Sequence, residues 1–141
     1  MNDKRSIPFS PPDMSETEIE MVAEVMKSGW ITTVPKTKEF APLISMCCQT
    51  ARKDKDDKDL CTTVCLNSAT ACMELALRVL GIGEGDEVIV PAYTYTATAA
   101  AVCHVGAKPI LVDCAPGTFE MDYDKVASVI NEHTKAIMPV D

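Results

Sequence analysis

The chain has 141 residues, enough for one domain with a real core, and its 47% hydrophobic and 24% charged residues are ordinary for a soluble globular protein. Its net charge of −8 argues against a nucleic-acid partner, because surfaces that bind phosphate backbones are basic. No apolar stretch is long enough to span a bilayer, and the N-terminus lacks the apolar core of an export signal, so we expect a cytoplasmic protein without a membrane segment.

The first part of the chain, residues 1–61, is predicted to be an N-terminal arm with two helices and a charged loop. The sequence SETE, which begins at Ser15, forms a capping box that predicts a helix start, and Gly29 is a good helix terminator. Residues 36–50 are compatible with a second helix. The mixed-charge run ARKDKDDKDL at 51–60 predicts a solvated loop.

The second part, residues 62–141, alternates regularly between apolar strands and amphipathic helices. Its crossovers are long enough to return a parallel strand, and its strands are short, continuous and β-branched. The pattern therefore predicts an α/β fold, with helices on the faces of a mainly parallel sheet. The predicted strands are TTVCL (62–66), EVIVP (87–91), KPILVD (108–113) and KAIMPV (135–140), and the predicted helices span 70–80, 96–105 and 123–132.

A turn of small and polar residues joins the first predicted strand to its helix. Asn67 and Ser68 leave the strand, Thr70 and Ala71 open the helix, and the free N–H groups of a first helical turn attract anions. The small side chains of Ser68, Ala69 and Ala71 would let a phosphate approach the backbone, and the Thr70 hydroxyl would add a donor. From the local pattern alone, a plain helix cap by Ser68 or Thr70 is the favoured interpretation.

Two tyrosines follow the second predicted strand, in the stretch PAYTYTATAAAV at 91–102. In open α/β sheets, ligands gather beyond the carboxyl ends of the strands, where Tyr93 or Tyr95 could stack on a flat ring. The alternative, favoured for the tyrosines in isolation, is that both pack into the core with paired hydroxyls. A phosphate cup and a stacking aromatic one βα unit apart together fit a flat, phosphorylated cofactor.

Longer stretches of the sequence closely resemble the DegT/DnrJ/StrS family of sugar aminotransferases. The similar stretches are SGWITTVPKTKEF, NSATACMELALRVLGIGEGDEVIVPAYTYTATAAAV, GAKPILVD and TKAIMPV, and the resemblance covers residues 7–40 and 64–140. It implies the N-terminal part of the large domain of a fold type I enzyme whose cofactor is pyridoxal 5'-phosphate. Members of this family typically move an amino group, usually from glutamate, onto a nucleotide-linked keto sugar, and they work as homodimers with active sites at the subunit interface.

The resemblance also assigns roles to individual residues. Thr70 and Ala71 match the family's phosphate-binding pair in the SAT-A turn, which Ser68 and Ala69 begin. Tyr95 matches the aromatic residue that stacks on the pyridine ring. Trp30 lies in a segment that borders the active site in relatives, so we expect it near the substrate.

The resemblance also implies that essential parts are missing. The family is much longer than this chain, and its Schiff-base lysine and the acid that pairs with the pyridine nitrogen both lie beyond Asp141, so we expect a fragment without a catalytic residue of its own. Val34 stands where the family commonly has glycine, and residues 41–63 do not match well. The alternatives are a truncated, non-catalytic chain and a family member that dehydrates its sugar.

The remaining reactive side chains are expected to be structural. Seven cysteines without zinc-ligand spacing or an export signal predict free thiols and no metal site. Cys72, Cys103 and Cys114 lie in apolar surroundings and are predicted to be core residues. His104 and His133 have no paired carboxylate in the local sequence, so we do not expect either to be catalytic.

Overall fold

The computed structural model describes residue 8 and residues 10–32, 35–51 and 61–140. The position of Val34 and, beyond residue 51, the predicted solvated loop lie outside the described residues. The chain divides into two compact units, residues 1–65 and 66–141, and each is considered by itself.

The first unit contains the two predicted helices, α1 (Glu16–Ser28) and α2 (Pro35–Ala51). The capping box at the start of α1 is confirmed, because the Ser15 N–H donates to the Glu18 carboxylate at 2.7 Å and the Ser15 hydroxyl accepts from the helix backbone. Gly29 ends α1 with a left-handed backbone, φ +73°, which glycine adopts without steric cost. An apolar groove of about 440 Å³ is lined by side chains of both helices.

The second unit is an α/β layer structure with three parallel strands, which confirms the predicted fold class. β1 pairs in parallel with β2 on one side and with β3 on the other, so the strand order is β2-β1-β3. Its elements in chain order are α3 (Ala69–Val79), β1 (Glu87–Pro91), α4 (Ala97–His104), β2 (Lys108–Val112), α5 (Tyr123–Val129) and β3 (Thr134–Ile137).

The first predicted strand, residues 62–66, is not a strand in this structure. The segment is irregular, and Val64 and Leu66 are exposed rather than buried. A strand requires a neighbour that accepts and donates its backbone hydrogen bonds, and within the described residues the sheet contains only β1, β2 and β3. The apolar composition of residues 62–66 favoured a buried strand, but composition alone does not show whether a partner strand is present.

Helices cover both faces of the sheet around its central strand. Val88, Ile89 and Val90 of β1 are fully buried, and consecutive strand residues face opposite sides. Val88 and Val90 pack with Leu77 of α3 and with residues of α4, whereas Ile89 packs with residues of α5 and β2 on the other face. This arrangement places α3 and α4 on one face and α5 on the other.

The prediction that Cys72, Cys103 and Cys114 lie in the core is wrong. Cys72 and Cys103 are exposed, and Cys114 is half-buried. In α3 the core side is formed by Leu77, whereas Leu75 and Val79 share the outward side with Cys72. Apolar residues lie on both sides of this helix, so its sequence does not indicate which side faces the sheet. Among the described residues, no helix has the length and apolarity needed to cross a membrane.

The strand order determines where a ligand would meet the sheet. β1 is followed by β2 on one side, and β3 returns to its other side, so the order reverses at β1. In open α/β sheets, ligands bind beyond the carboxyl ends of the strands where the order reverses. The segment that leaves the carboxyl end of β1, residues 92–96, carries Tyr93 and Tyr95.

Candidate functional site

The start of α3 combines a helix cap with unused hydrogen-bond donors. Ser68 is the N-cap residue: its backbone is extended and its Oγ accepts a hydrogen bond from the Ala71 N–H at 3.1 Å. The cap interpretation is therefore right for Ser68. It does not apply to Thr70, the second residue of the helix, whose hydroxyl takes no part in the cap.

Several donors at this helix start have no acceptor among the described residues. They are the N–H groups of Ala69 and Thr70, the Thr70 hydroxyl and the proton of the Ser68 hydroxyl. The first turn also carries no acidic side chain that would repel an anion. Free N–H groups, hydroxyls and a positive helix end fit a phosphate group. The Ala71 N–H is already bonded to Ser68, so Ala71 would serve an anion here mainly through its small side chain.

The loop after β1 presents one aromatic ring to solvent and holds another in a stack. The Tyr95 side chain is 81% exposed, and within the described part of the chain it has no hydrogen bond or ring contact. Tyr93 is 63% exposed and its ring stacks on that of Phe119, with centroids 5.0 Å apart and planes inclined by 26°. The alternative in which both tyrosines pack into the core is therefore wrong.

Two contacts show how the helix start and this loop are related. Between α3 and the last residue of α4, the Glu74 carboxylate lies 2.6 Å from His104 Nδ1, and the Arg78 guanidinium donates to the His104 carbonyl at 3.2 Å. α3 ends shortly before β1 and α4 shortly before β2, and these parallel strands begin opposite each other at Glu87 and Lys108. The C-terminal ends of the two helices therefore lie at one edge of the sheet and their N-terminal ends at the other. Because α4 begins directly after the Tyr95 loop, the start of α3 faces the same edge of the sheet as that loop.

Trp30 lies in the other unit, directly after α1. Its side chain is exposed and its N–H donates to the Ser28 hydroxyl at 3.2 Å. A role for Trp30 beside the substrate remains a prediction.

The groups with shifted pKa values lie elsewhere. Glu87, at the amino end of β1, accepts hydrogen bonds from Lys108 and Asn131, which hold the pKa of its carboxyl below the ordinary range. Hydrogen bonds from the Lys125 backbone lower the pKa of Asp122, the N-cap of α5, in the same way. Both groups stabilise elements of the fold, and neither belongs to the helix start or the Tyr95 loop.

Sequence reasoning missed Phe119 and the pairing of Glu74 with His104. Phe119 lies in GTFEMD, a polar turn after β2. A large aromatic residue in a polar turn at the carboxyl edge of the sheet could have indicated its role. Glu74 and His104 belong to different helices, so local sequence could not pair them.

Comparison with known proteins gives a family match over most of the chain. A family model described as the DegT/DnrJ/EryC1/StrS aminotransferase family matches residues 12–141. Spr1654 of Streptococcus pneumoniae, a candidate sugar aminotransferase solved in its PMP-form, is 52% identical with a TM-score of 0.79, and the match covers 96% of this chain and 32% of that one. The same protein has also been solved in its PLP-form.

Two further solved structures are more distant. DesV of S. venezuelae is 34% identical with a TM-score of 0.73, and the match covers 88% of this chain and 31% of that one. A 3-amino-5-hydroxybenzoic acid synthase is 28% identical with a TM-score of 0.73, and the match covers 91% of this chain and 31% of that one. The chain thus spans about a third of the length of these structures.

Proposed function

Because the chain belongs to the DegT/DnrJ/EryC1/StrS aminotransferase family, we propose that it supplies the N-terminal part of the cofactor domain of a sugar aminotransferase. The family's cofactor is pyridoxal 5'-phosphate, and the similar Spr1654 has been solved in both PLP- and PMP-forms. The coverage of about a third of these structures supports the view that the activity requires further polypeptide.

One observation carries the assignment of the phosphate. The start of α3 offers hydroxyl and backbone donors that have no acceptor in the part of the chain that the structure describes, and its first turn has no acidic side chain. In this proposal the hydroxyls of Ser68 and Thr70 and the N–H groups of Ala69 and Thr70 hold the phosphate. Ala71 keeps the approach open with its methyl group, and its own N–H fixes the Ser68 oxygen.

Tyr95 is proposed to hold the cofactor ring. Its ring is exposed and unengaged within the described residues, on a loop at the same edge of the sheet as the phosphate donors. An aromatic face against the pyridine ring would fix the plane of that ring and exclude water from one side. When bound, pyridoxal phosphate supplies an electron sink for the carbanion formed at the amino-bearing carbon. The residues of this chain would anchor and orient it.

The substrates and assembly are the finer part of the proposal. We propose a nucleotide-linked keto sugar as amino acceptor, an amino acid such as glutamate as donor, a homodimer, and Trp30 as a residue beside the substrate. The support is the similarity to Spr1654, a candidate sugar aminotransferase. A second candidate is dehydration of the sugar by a member of the same family, and a third is a chain without catalysis.

A two-stage experiment on the complete polypeptide separates these candidates. The PLP-loaded protein is first mixed with glutamate, and the absorbance change that accompanies transfer of the amino group to the cofactor is recorded. A nucleotide-linked keto sugar is then added, and its amino product is identified by mass spectrometry. Transfer in both stages supports the proposal. Loss of water from the sugar without amino transfer contradicts it and favours the dehydratase, and the absence of both reactions favours the non-catalytic chain.

A further inference from the structure

Tyr93 and Phe119 stack on each other at the carboxyl edge of the sheet, and neither ring has a role in the proposed cofactor site. Both rings are largely exposed, at 63% and 75%, so their contact is not a by-product of core packing. Tyr93 lies two residues before Tyr95, on the same short loop between β1 and α4. The question is therefore what a stack outside the core does for this loop.

Phe119 lies in a turn that is held together by backbone contacts. Residues 113–121 fold back on themselves through an isolated antiparallel bridge between Cys114 and Met121 and through a hydrogen bond of 2.9 Å from the Ala115 N–H to the Glu120 carbonyl. Met121 is buried in the core cluster beneath α5. The turn that carries Phe119 is thus anchored to the sheet layer through its backbone and through Met121.

The loop that carries Tyr95 is held on both sides of that residue. On its N-terminal side the Ala92 N–H donates to the Val112 carbonyl at 2.8 Å, and Tyr93 stacks on Phe119. On its C-terminal side the Thr98 N–H donates to the Tyr95 carbonyl at 3.1 Å. The Tyr95 ring itself is left without a contact among the described residues.

From this arrangement we infer that the Tyr93–Phe119 stack is a positioning device that fixes the Tyr95 loop, so that the Tyr95 ring meets the pyridine ring of the cofactor in one orientation. The inference rests on the proposed function, since it gives Tyr95 the cofactor as its partner. Tyr93 and Phe119 act through the loop, whereas Tyr95 makes the contact. If the stack fixes the loop, loss of the Phe119 ring should make the Tyr95 loop more mobile even in the absence of cofactor.

The first measurement uses the 141-residue chain without cofactor. Amide hydrogen exchange is followed at Ala92 and Thr98, whose N–H groups bracket the loop, with the Lys108 N–H at the opposite edge of the sheet as reference. Phe119→Leu should raise exchange at the two loop amides about two- to tenfold and leave the reference unchanged. Phe119→Tyr keeps a stacking ring and should restore the wild-type rates. Unchanged exchange at both loop amides in Phe119→Leu would overturn the inference.

The second measurement is a pyridoxal phosphate titration of the complete polypeptide, followed by absorbance and by circular dichroism of the bound cofactor. Phe119→Leu should weaken binding about two- to tenfold and reduce the circular dichroism signal, with Phe119→Tyr again restoring both. If Tyr95→Leu weakens binding but Phe119→Leu does not, positioning by the stack is wrong while the role of Tyr95 stands. If Tyr95→Leu leaves binding unchanged, the assignment of Tyr95 fails, and the inference about its positioning fails with it.

Discussion

The Glu74 carboxylate lies 2.6 Å from Nδ1 of His104, and this pair joins the middle of α3 to the last residue of α4. The Arg78 guanidinium adds a second link to the His104 carbonyl. The start of α3 carries the candidate phosphate donors. The loop just before α4 carries Tyr95, the candidate support for the cofactor ring. A contact outside the proposed cofactor site therefore links the two helices that are associated with its two halves.

We expect the Glu74–His104 pair to contribute a small, salt-dependent coupling energy. Glu74→Gln, His104→Gln and the double variant form a double-mutant cycle, measured by thermal or urea unfolding. Because the His104 side chain is more than half exposed, the coupling should be about 0.2–1 kcal/mol, and at a pH where the imidazole is protonated it should decrease in high salt. A coupling that does not change with salt would show that the pair is not mainly electrostatic.

Replacement of Thr70 by Val tests the phosphate assignment. The change removes a hydroxyl donor and keeps the side-chain shape, so the affinity of the complete polypeptide for pyridoxal phosphate should fall. A hydrogen bond to a charged group is worth about 1.5–3 kcal/mol, which corresponds to roughly a ten- to hundredfold loss. Thr17→Val is the matched control, because Thr17 is also the second residue of a capped helix, α1. Equal affinities in the two variants would contradict the assignment of Thr70.

The two serine caps should separate stability from cofactor binding. Ser15→Ala and Ser68→Ala each remove a side-chain acceptor at a helix start, and each should cost about 1 kcal/mol of unfolding free energy. Only Ser68→Ala should also weaken pyridoxal phosphate binding, since the Ser68 hydroxyl proton is proposed to reach the phosphate. Thermal unfolding of both variants without cofactor, followed by titration, gives the comparison. Unaltered binding in Ser68→Ala would restrict Ser68 to a cap.

Glu87 should make the second unit sensitive to acid. Hydrogen bonds from Lys108 and Asn131 hold its pKa below the ordinary 4.5. A carboxylate with a lowered pKa stabilises the fold fully above its ordinary pKa, and this contribution is lost as the pH falls through the folded-state value. Between about pH 6 and pH 3, the melting temperature should therefore fall more steeply in the wild type than in Glu87→Gln.

The exposed Glu84 offers a control for this titration, because it lies in the turn just before β1. Glu84→Gln should retain the steep acid dependence of the wild type. If Glu87→Gln and the wild type have parallel melting curves over this pH range, the hydrogen bonds to Glu87 do not contribute to acid sensitivity.

The 141-residue chain should form no specific covalent adduct with the cofactor. Lys108, Lys125 and Lys135 are exposed, and none lies at the start of α3 or in the Tyr95 loop. The chain is incubated with pyridoxal phosphate, reduced with borohydride and analysed by peptide mass spectrometry. Low, scattered labelling of several lysines is expected. One stoichiometric adduct on a single lysine would show that the chain has its own anchoring lysine.

Features set by neighbouring residues could be predicted from the sequence. The capping box at Ser15, the terminator Gly29 and the strand EVIVP each depend on a few adjacent side chains, and the structure contains all three. The α/β class also followed, because parallel pairing requires long crossovers and the length of each crossover can be read from the sequence.

Features that depend on distant partners could not be predicted in the same way. Residues 62–66 have the composition of a strand, but a strand forms only against another strand, and their sequence contains no information on its presence. The outward side of α3 also carries apolar residues, Leu75 and Val79, which made Cys72 look like a core residue. The Tyr93–Phe119 stack likewise joins two turns that follow different strands.

The position of β1 between two later strands has a consequence for synthesis of the chain. When β1 emerges from the ribosome, neither β2 nor β3 has been made, so its backbone has no strand to pair with. Each parallel pair also requires closure of a long crossover before pairing returns any free energy, which slows folding. The segment that is most deeply buried at the end, Val88–Val90, is therefore the one that a chaperone would meet, and would have to shield, during translation.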